Sequence, residues 1–364
     1  MSLLKSIQRD SVAARELAQS VRDDQPYRLL DMKAYLTRRC NLRCVMCDAW
    51  AAEQDGRDEL TTAEWMRVLT QARRLGLANL KLFGGEPTLR RDLVAIVEQA
   101  SRLGIRCTLV TNGTLLTEER AHSLVGAGLQ ELDLSLDAAD PALHDGIRGV
   151  PGAWQRAMHG LQAMQKTAQS QGRRLFIRVN AVVMRENYRD MPDLVNTLSS
   201  LGVDEIALNP VIPRRDYPPY ALLPEDILVY NAEIAPQIAE RATTLRLSRN
   251  HDDLYLYGTS QADVERAAQC RYVDRLKVPC CFKPWYYMVV RENGDVVGCN
   301  TVKHSKTRMG NVRQAAIDEI WSSAAYRTFR TSCKPPQFAE CGNCCYRFAL
   351  VNRRISQILA GSGV

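Results

Sequence analysis

The stretch Met32-Lys-Ala-Tyr-Leu-Thr-Arg-Arg-Cys40-Asn-Leu-Arg-Cys44-Val-Met-Cys47 joins an apolar run of strand length to three closely spaced cysteines. Three thiolates on one short loop can bind three corners of a cubane iron–sulfur cluster and leave the fourth iron open to a small ligand. A zinc site is the alternative, but it would need a fourth ligand and usually shows paired C-x2-C elements. The spacing therefore favours an iron–sulfur cluster with an open iron at Cys40, Cys44 and Cys47.

Further apolar runs of strand length follow, and they alternate with amphipathic helical stretches as far as about residue 210. We predict strands at Met32–Thr37, Leu80–Phe83, Arg106–Thr111, Glu131–Leu136, Leu175–Val183 and Glu205–Asn209. We predict helices at Thr62–Leu75, Arg91–Leu103, Thr117–Ala127, Ala153–Ser170 and Met191–Ser200. This rhythm predicts an α/β fold whose six strand–helix units make a partial (β/α)6 TIM-like barrel.

Residues suited to ligand binding fall at the carboxyl ends of these strands, where β/α barrels carry their chemistry. They are Gly84, Gly85, Glu86 and Pro87 after strand two, Asn112 after three, Ser135 at four, Asn180 within five and Asn209 at six. Two successive glycines would let the backbone approach a ligand closely, because neither carries a Cβ. Between strands four and five, Arg148 offers a positive charge, and His144 is expected at a helix start or on the surface.

The cysteine spacing and the order of these motifs resemble the radical S-adenosylmethionine (radical SAM) superfamily. The resemblance implies that the open iron chelates S-adenosylmethionine and that its reductive cleavage gives a 5′-deoxyadenosyl radical. It implies that Gly84–Pro87 contact the methionine amino group, and that Ser135 and Arg148 contact its carboxylate or the ribose. Met46 stands where the family often has an aromatic residue, so we expect it to cover the adenine. Asn112, Asn180 and Asn209 are further expected cofactor contacts.

Eight cysteines lie between Cys270 and Cys345. Cys281, the Cys299 of Gly294-x4-Cys299 and the pair Cys341-x2-Cys344 form a four-thiolate pattern that suits zinc or a [4Fe–4S] cluster. The order resembles the SPASM/twitch extension of radical SAM enzymes, which implies an auxiliary [4Fe–4S] cluster. Cys280 could replace Cys281, and Cys345 could replace Cys344. Two others, Cys270 and Cys333, are left without an assigned role.

Three segments are expected: a helical lead-in at 1–30, the barrel at 31–245 and the cysteine-rich extension at 246–364. In the extension, Asn293-Gly294 predicts a hairpin between Tyr286–Val290 and Val296–Val297. Helices are expected near Arg313–Phe329 and, before the extension, near Glu225–Glu240.

Twelve cysteines in 364 residues without an apolar leader suggest metal binding in a reducing, cytoplasmic setting rather than a disulfide framework. The first thirty residues contain no run able to span a membrane. The net charge of +7 is scattered over the sequence and includes no basic block with interleaved aromatics, so we expect neither a membrane nor a nucleic-acid partner.

For function, we expect hydrogen abstraction from a small polar substrate such as a sugar, an aminocyclitol or a natural-product intermediate. The auxiliary cluster would then accept an electron from the substrate radical. An external reductant of the flavodoxin or ferredoxin type would supply an electron to the first cluster. The small substrate is preferred because only about thirty residues precede strand one, too few for a leader-binding domain. Three alternatives stay open: a radical epimerase with Cys345 or Cys333 as hydrogen donor, a peptide-modifying maturase that cross-links or oxidises its substrate, and a non-catalytic zinc module.

Overall fold

The computed structural model describes residues 3, 7–8, 10–51, 58–211, 220–242, 246–247, 254–271, 273, 276–302, 304–344 and 346–361. Within these residues ten strands form one sheet. The strands are β1 Asp31–Tyr35, β2 Asn79–Phe83, β3 Arg106–Thr111, β4 Glu131–Ser135, β5 Phe176–Val183, β6 Glu205–Pro210, β7 Arg246–Leu247, β8 Tyr287–Val290, β9 Asp295–Val297 and β10 Arg308–Asn311.

Helices fill most connections between the strands. They are α1 Ser11–Arg22, α2 Thr62–Arg74, α3 Leu93–Arg102, α4 Glu118–Gly126, α5 Pro141–Arg148, α6 Ala153–Ser170, α7 Met191–Ser200, α8 Pro224–Val229, α9 Ala235–Arg241, α10 Gln261–Ala268, α11 Lys283–Tyr286, α12 His304–Thr307, α13 Ile317–Trp321, α14 Ala324–Thr331 and α15 Tyr346–Gly361. In the part of the chain that the structure describes, no helix is both long and apolar enough to cross a membrane.

The strands β1 to β7 are parallel and lie in chain order, and a helix separates each of the first six from the next. The sheet stays open, because the second neighbour of β1 is β8 rather than β6. This confirms the predicted partial barrel, and the six predicted strands are present with ends shifted by one or two residues.

The two faces of the barrel sheet differ in polarity, because successive side chains of a strand alternate between faces. One face is apolar and shares a buried core with the helices through Leu80, Leu82, Leu132 and Leu134. The other face carries a chain of charges that we call the inner wall, made of Lys81, Asp133, Arg178 and Glu205. Lys81 Nζ lies 2.6 Å from one Asp133 oxygen, and Arg178 bridges the other to Glu205 at 2.9 and 2.5 Å.

The extension continues the same sheet. The strand β8 pairs in parallel with β1, and β9 and β10 follow in antiparallel order, so the predicted hairpin at Asn293-Gly294 is present. The proposed division into 1–30, 31–245 and 246–364 stays a prediction. The backbone hydrogen bonds of the sheet nevertheless cross from the barrel into the extension.

Two helix predictions need correction. The helix expected at Arg313–Phe329 is interrupted, because the Ser323 hydroxyl accepts a hydrogen bond from the Tyr326 N–H and starts α14 afresh. The helix expected at Glu225–Glu240 has a wide π-helical turn at Tyr230–Ile234, directly before α9 with its Pro236. Proline lacks the N–H that would continue the regular ladder.

Candidate active site

The loop with Cys40, Cys44 and Cys47 leaves the carboxyl end of β1, as predicted. The Cys44 thiol is buried and the other two are partly exposed. The Leu42 N–H points to Cys40 Sγ at 3.5 Å and the Ala49 N–H to Cys47 Sγ at 3.5 Å. Hydrogen-bond donors aimed at sulfur stabilise thiolates, which are the form that binds iron.

The helix α5 holds this loop from one side. The Arg43 N–H donates to the Arg148 carbonyl at 3.0 Å, and the Val45 N–H donates to the Ile147 carbonyl at 2.9 Å. These are carbonyls at a helix end, which have no partner inside the helix. Gly149, at φ +68°, ends the helix and lies against the cluster loop, so that a Cβ on it would be 2.3 Å from the Arg43 carbonyl oxygen. The glycine is therefore required by the contact with the cluster loop.

The Gly84-Gly85 turn holds the loop from a second side. The Gly85 N–H donates to the Thr37 carbonyl at 2.8 Å, and a Cβ on Gly85 would lie 2.2 Å from the Arg39 oxygen. The missing Cβ atoms are therefore needed for close packing against the loop backbone. Contact of Gly84 and Gly85 with the cofactor stays a prediction.

Glu86 lies below this turn and is buried. Its carboxylate accepts hydrogen bonds from the Thr88 N–H and hydroxyl, the Thr111 hydroxyl at 2.7 Å and the Asn112 N–H at 2.8 Å. Burial raises the pKa of Glu86, and these hydrogen bonds lower it in part. The carboxylate thus ties the end of β2 to the end of β3, and Pro87 begins the buried turn that follows. Cofactor contact by Glu86 and Pro87 stays a prediction.

Asn112 reaches the cluster loop from β3. Its amide group donates to Asn41 Oδ1 at 2.9 Å, and Asn41 in turn donates to the Thr114 hydroxyl at 2.8 Å. Asn41 stands directly after Cys40, so this chain of amides positions the first ligand. Asn112 was predicted as a site residue, but Asn41 was not. The one feature of the sequence that could have indicated Asn41 is its position between Cys40 and Cys44.

Arg148 lies directly beside the thiols. Its Nη1 is 3.7 Å from Cys44 Sγ, and its Nη2 is 2.7 Å from Asp137 Oδ2. Asp137 is fully buried, and its other oxygen accepts from the Val182 N–H. The Nε of Arg148 is buried, and within the described residues it has no hydrogen-bond partner. A buried donor without a partner is costly, so its position suits an acceptor group bound beside Cys44.

His144 lies in the first turn of the same helix, as one of the two expectations had it, but it is buried and not on the surface. Its Nδ1 accepts a hydrogen bond from the Asp137 N–H at 3.2 Å. Burial, followed by the charge of Arg148, lowers the pKa of His144 to about 3. The side chain is therefore neutral, and it fixes the backbone of Asp137.

Three of the predicted cofactor contacts share one face at the open end of the barrel. Ser135 is paired with Asn180 across β4 and β5, and Asn209 is paired with Val182 across β5 and β6. All three are partly exposed. Met46 is also partly exposed and packs against the apolar group formed by Leu42, Cys44 and Ala153. Cofactor binding by these residues stays a prediction.

Among the cysteines of the extension, Cys333 and Cys341 lie near enough to each other, to Cys281 and to Cys299 to interact electrostatically. The Thr301 N–H donates to Cys299 Sγ at 3.3 Å and the Asn352 amide to Cys281 Sγ at 3.6 Å. Cys341 lies in a short helical turn, and its carbonyl accepts from the Cys344 N–H at 3.1 Å. The Cys344 side chain packs with a separate apolar group formed by Val273, Leu276 and Ala349. Cys345 lies outside the described residues.

Cys333 stands next to Cys281, which the sequence did not indicate. The Cys281 N–H donates to the Cys333 carbonyl at 3.0 Å, and the Cys333 thiol donates to Cys281 Sγ. This hydrogen bond lowers the pKa of Cys281 to about 6. Asn352 on α15, which donates to Cys281, was also not predicted as a site residue, because its local sequence contains no motif.

Among the described residues, no group of three or more His, Cys, Asp or Glu side chains converges tightly enough to hold a single metal ion. The fit of iron–sulfur clusters is therefore judged from the surroundings of the thiols. At both sites, N–H groups point to cysteine sulfurs, and at the first site a buried guanidinium lies beside them. Thiolates with such donors are the ligands of anionic clusters.

A family model described as the radical SAM superfamily matches residues 34–198, and a model described as an iron–sulfur cluster-binding domain, SPASM, matches residues 280–345. A PqqA peptide cyclase of Streptomyces rochei is 32% identical over 328 residues, which cover 86% of this chain and 84% of the relative. The chain belongs to the radical SAM superfamily. It carries a C-terminal SPASM-type domain, and its cofactors are S-adenosylmethionine and [4Fe–4S] clusters, one of them auxiliary.

Other similar proteins carry names that state different activities or ligands. An AdoMet-dependent heme synthase of Methanosarcina barkeri is 27% identical and covers 86% of this radical SAM enzyme and 87% of the relative. Among solved structures, Streptococcus suis SuiB bound to S-adenosylmethionine has a TM-score of 0.65 at 19% identity, covering 88% of this chain and 72% of that one. The anSMEcpe structure with bound AdoMet and a peptide has a TM-score of 0.63 at 16% identity, covering 92% and 99%. These structures support the fold.

Proposed function

We propose that this radical SAM enzyme oxidises a peptide. A hydrogen atom is removed from a substrate carbon, and the loss of one further electron and one proton leaves a cross-link or a double bond. The product is then two hydrogen atoms lighter than the substrate. The observation that carries the proposal is the 32% identity to a PqqA peptide cyclase over most of both chains.

The site supports the radical step through the residues that surround the cysteine loop. When bound, the cofactors supply a 5′-deoxyadenosyl radical and a one-electron acceptor. Arg148, fixed by Asp137, presents a buried N–H beside Cys44 that suits an acceptor group of the cofactor. Asn112 and the Gly84-Gly85 turn keep the loop in place. Radical transfer between two bound molecules needs such fixed positions, because a small misplacement of the reacting atoms slows it strongly.

A small polar substrate, which the sequence argument preferred, is the second candidate. The similar proteins with full-length matches include peptide cyclases, and these do not favour it. The specific observation in its favour is the inner wall, where the partly exposed Lys81 ammonium stands beside the buried ion pairs of Asp133, Arg178 and Glu205. Partners such as a flavodoxin-type reductant and a cytoplasmic location stay predictions.

Epimerisation needs a thiol that returns hydrogen to the substrate. Cys333 is buried, and its thiol donates to Cys281, so it lies among the presumed ligands of the auxiliary cluster. The other suggested donor, Cys345, lies outside the described residues. Oxidation therefore has more support than epimerisation.

The test incubates the anaerobic holoenzyme, S-adenosylmethionine and a reductant with each short peptide encoded beside the gene, and in parallel with a panel of aminocyclitols and sugars. We expect a peptide that loses two hydrogen atoms for each 5′-deoxyadenosine formed, as measured by mass spectrometry. Mass loss in a small polar molecule instead would select the second candidate. A peptide of unchanged mass that gains solvent deuterium would contradict oxidation and indicate epimerisation.

A further inference from the structure

Lys283 is a buried lysine at the start of α11, two residues after Cys281. Its residue exposure is 2%. The ammonium lies 4.0 Å from the centre of the Tyr287 ring, 3.8 Å from the centre of the Phe348 ring and 3.4 Å from Asn300 Oδ1. Among the residues that the structure describes, no carboxylate lies within ion-pair distance of it.

Burying such a charge is unfavourable unless it is compensated. Removing an ammonium group from water is costly in a protein interior. Contact with two aromatic rings offsets only part of this cost, and one long amide contact adds little. These neighbours therefore leave part of the Lys283 charge without compensation.

The Asp31 carboxylate on β1 does not pair with this charge. It is close enough to interact with Lys283 through space, but it is not in ion-pair contact with it. Its Oδ1 instead accepts a hydrogen bond from the Asn79 amide at 2.7 Å. A further counter-charge is therefore needed.

The cysteines assigned to the auxiliary cluster lie close to this ammonium. Its charge interacts through space with the Cys281 sulfur, and Asn300, which contacts the ammonium, directly follows Cys299. A cluster held by four thiolates carries a net negative charge, because the thiolates outweigh the positive charge of the iron–sulfide core. This charge becomes more negative by one on reduction.

We propose that the Lys283 ammonium is the fixed counter-charge of the auxiliary cluster and raises its reduction potential. A positive charge held in a water-poor site stabilises the more negative, reduced state over the oxidised one. Lys283 thus acts on the cluster through its fixed charge, and it does not contact the substrate. The inference concerns the auxiliary cluster alone, and it holds whether the substrate is a peptide or a small molecule.

The test is a redox titration of the full-length reconstituted enzyme, followed by electron paramagnetic resonance. Adding S-adenosylmethionine identifies the signal of the first cluster, because only that cluster has an open iron. At a fixed potential, Lys283→Met is expected to lower the reduced-to-oxidised ratio of the auxiliary cluster at least tenfold, which equals a fall of 59 mV for a one-electron couple. Lys283→Arg keeps the charge and should stay within threefold of the wild type.

The control is Lys166→Met. Lys166 lies on the barrel helix α6, and its ammonium is exposed and 3.5 Å from Glu118. This variant should leave the ratio unchanged. A ratio within twofold of the wild type in Lys283→Met, or an equal shift in Lys166→Met, would overturn the proposal.

Loss of the cluster in the variant is also informative. If Lys283→Met and Lys283→Gln both lose the iron of the auxiliary cluster and Lys283→Arg keeps it, the charge is needed to hold an anionic group, as proposed. If Lys283→Arg loses the iron as well, the shape of the side chain matters instead of its charge, and the proposal fails.

Discussion

At the residue scale, the site depends on a buried set of polar groups that surrounds the cysteine loop. Arg148 was expected from the sequence as a cofactor contact, and the structure adds its pairing with Asp137 at 2.7 Å. The role of His144 could not be predicted, because the local sequence shows a histidine in a polar stretch and gives no sign of its burial. These contacts join α5 to Asp137, which follows β4 and accepts a hydrogen bond from Val182 of β5.

We predict that His144 makes the protein sensitive to acid. Its pKa is about 3 when folded, because of burial, and about 6.5 when unfolded. Below pH 6.5 the unfolded chain binds a proton that the folded chain does not, so stability falls with pH from 6.5 towards 3. The slope approaches about 1.4 kcal/mol for each pH unit.

The measurement is urea unfolding of the anaerobic protein at pH 7.5 and pH 5.5 for wild type, His144→Asn and His122→Asn. His122 is the control, because its side chain is exposed on α4. From pH 7.5 to pH 5.5, the free energy of unfolding of wild type and of His122→Asn should fall by about 1 kcal/mol more than that of His144→Asn. Equal losses in all three proteins would show that His144 is not held neutral by the fold.

At the element scale, the first six strands were predictable because each is an apolar run that ends near a polar turn. The helix α5 could not be predicted in the same way. It has only eight residues, and one of them is Gly146, which disfavours a helix. The break before α14 depends on Ser323 acting as a cap, a role that serine adopts only when the chain around it turns. Strand existence was therefore easier to predict than helix ends.

The cluster loop is held by neighbouring elements, so a glycine at their contact should control cluster binding. In Gly85→Ala the new Cβ would lie 2.2 Å from the Arg39 oxygen, which forces the loop to move. We expect this variant to bind about four irons, those of the auxiliary cluster, where the wild type binds about eight. Release of 5′-deoxyadenosine should fall more than tenfold.

Gly146→Ala is the matched control for this variant. Gly146 lies within α5, and a Cβ there would meet no atom within 4 Å. Alanine also favours a helix over glycine, by about 0.5 to 1 kcal/mol. Iron content and cleavage should therefore equal those of the wild type. Full iron content in Gly85→Ala would contradict the role given to the turn.

At the scale of the whole molecule, the sequence predicted a barrel and a cysteine-rich extension but not how they join. Parallel pairing of β8 with β1 links residues more than 250 positions apart, and such pairing leaves no local sequence signal. It places Lys283, Asp31 and the cysteines around Cys281 along one continuous sheet. The neighbours of Cys281, among them Cys333 and Asn352, likewise depend on distant segments meeting.

The central claim is that Cys40, Cys44 and Cys47 hold the cluster that cleaves S-adenosylmethionine, with a second cluster in the extension. It is tested most directly by measuring iron, sulfide and reductant-dependent 5′-deoxyadenosine in the anaerobic wild type and in a Cys40→Ala, Cys44→Ala, Cys47→Ala triple variant. The account predicts about eight irons and cleavage for the wild type, and about four irons without cleavage for the variant. A wild-type protein that is colourless and holds zinc, or a triple variant that still releases 5′-deoxyadenosine, would contradict it.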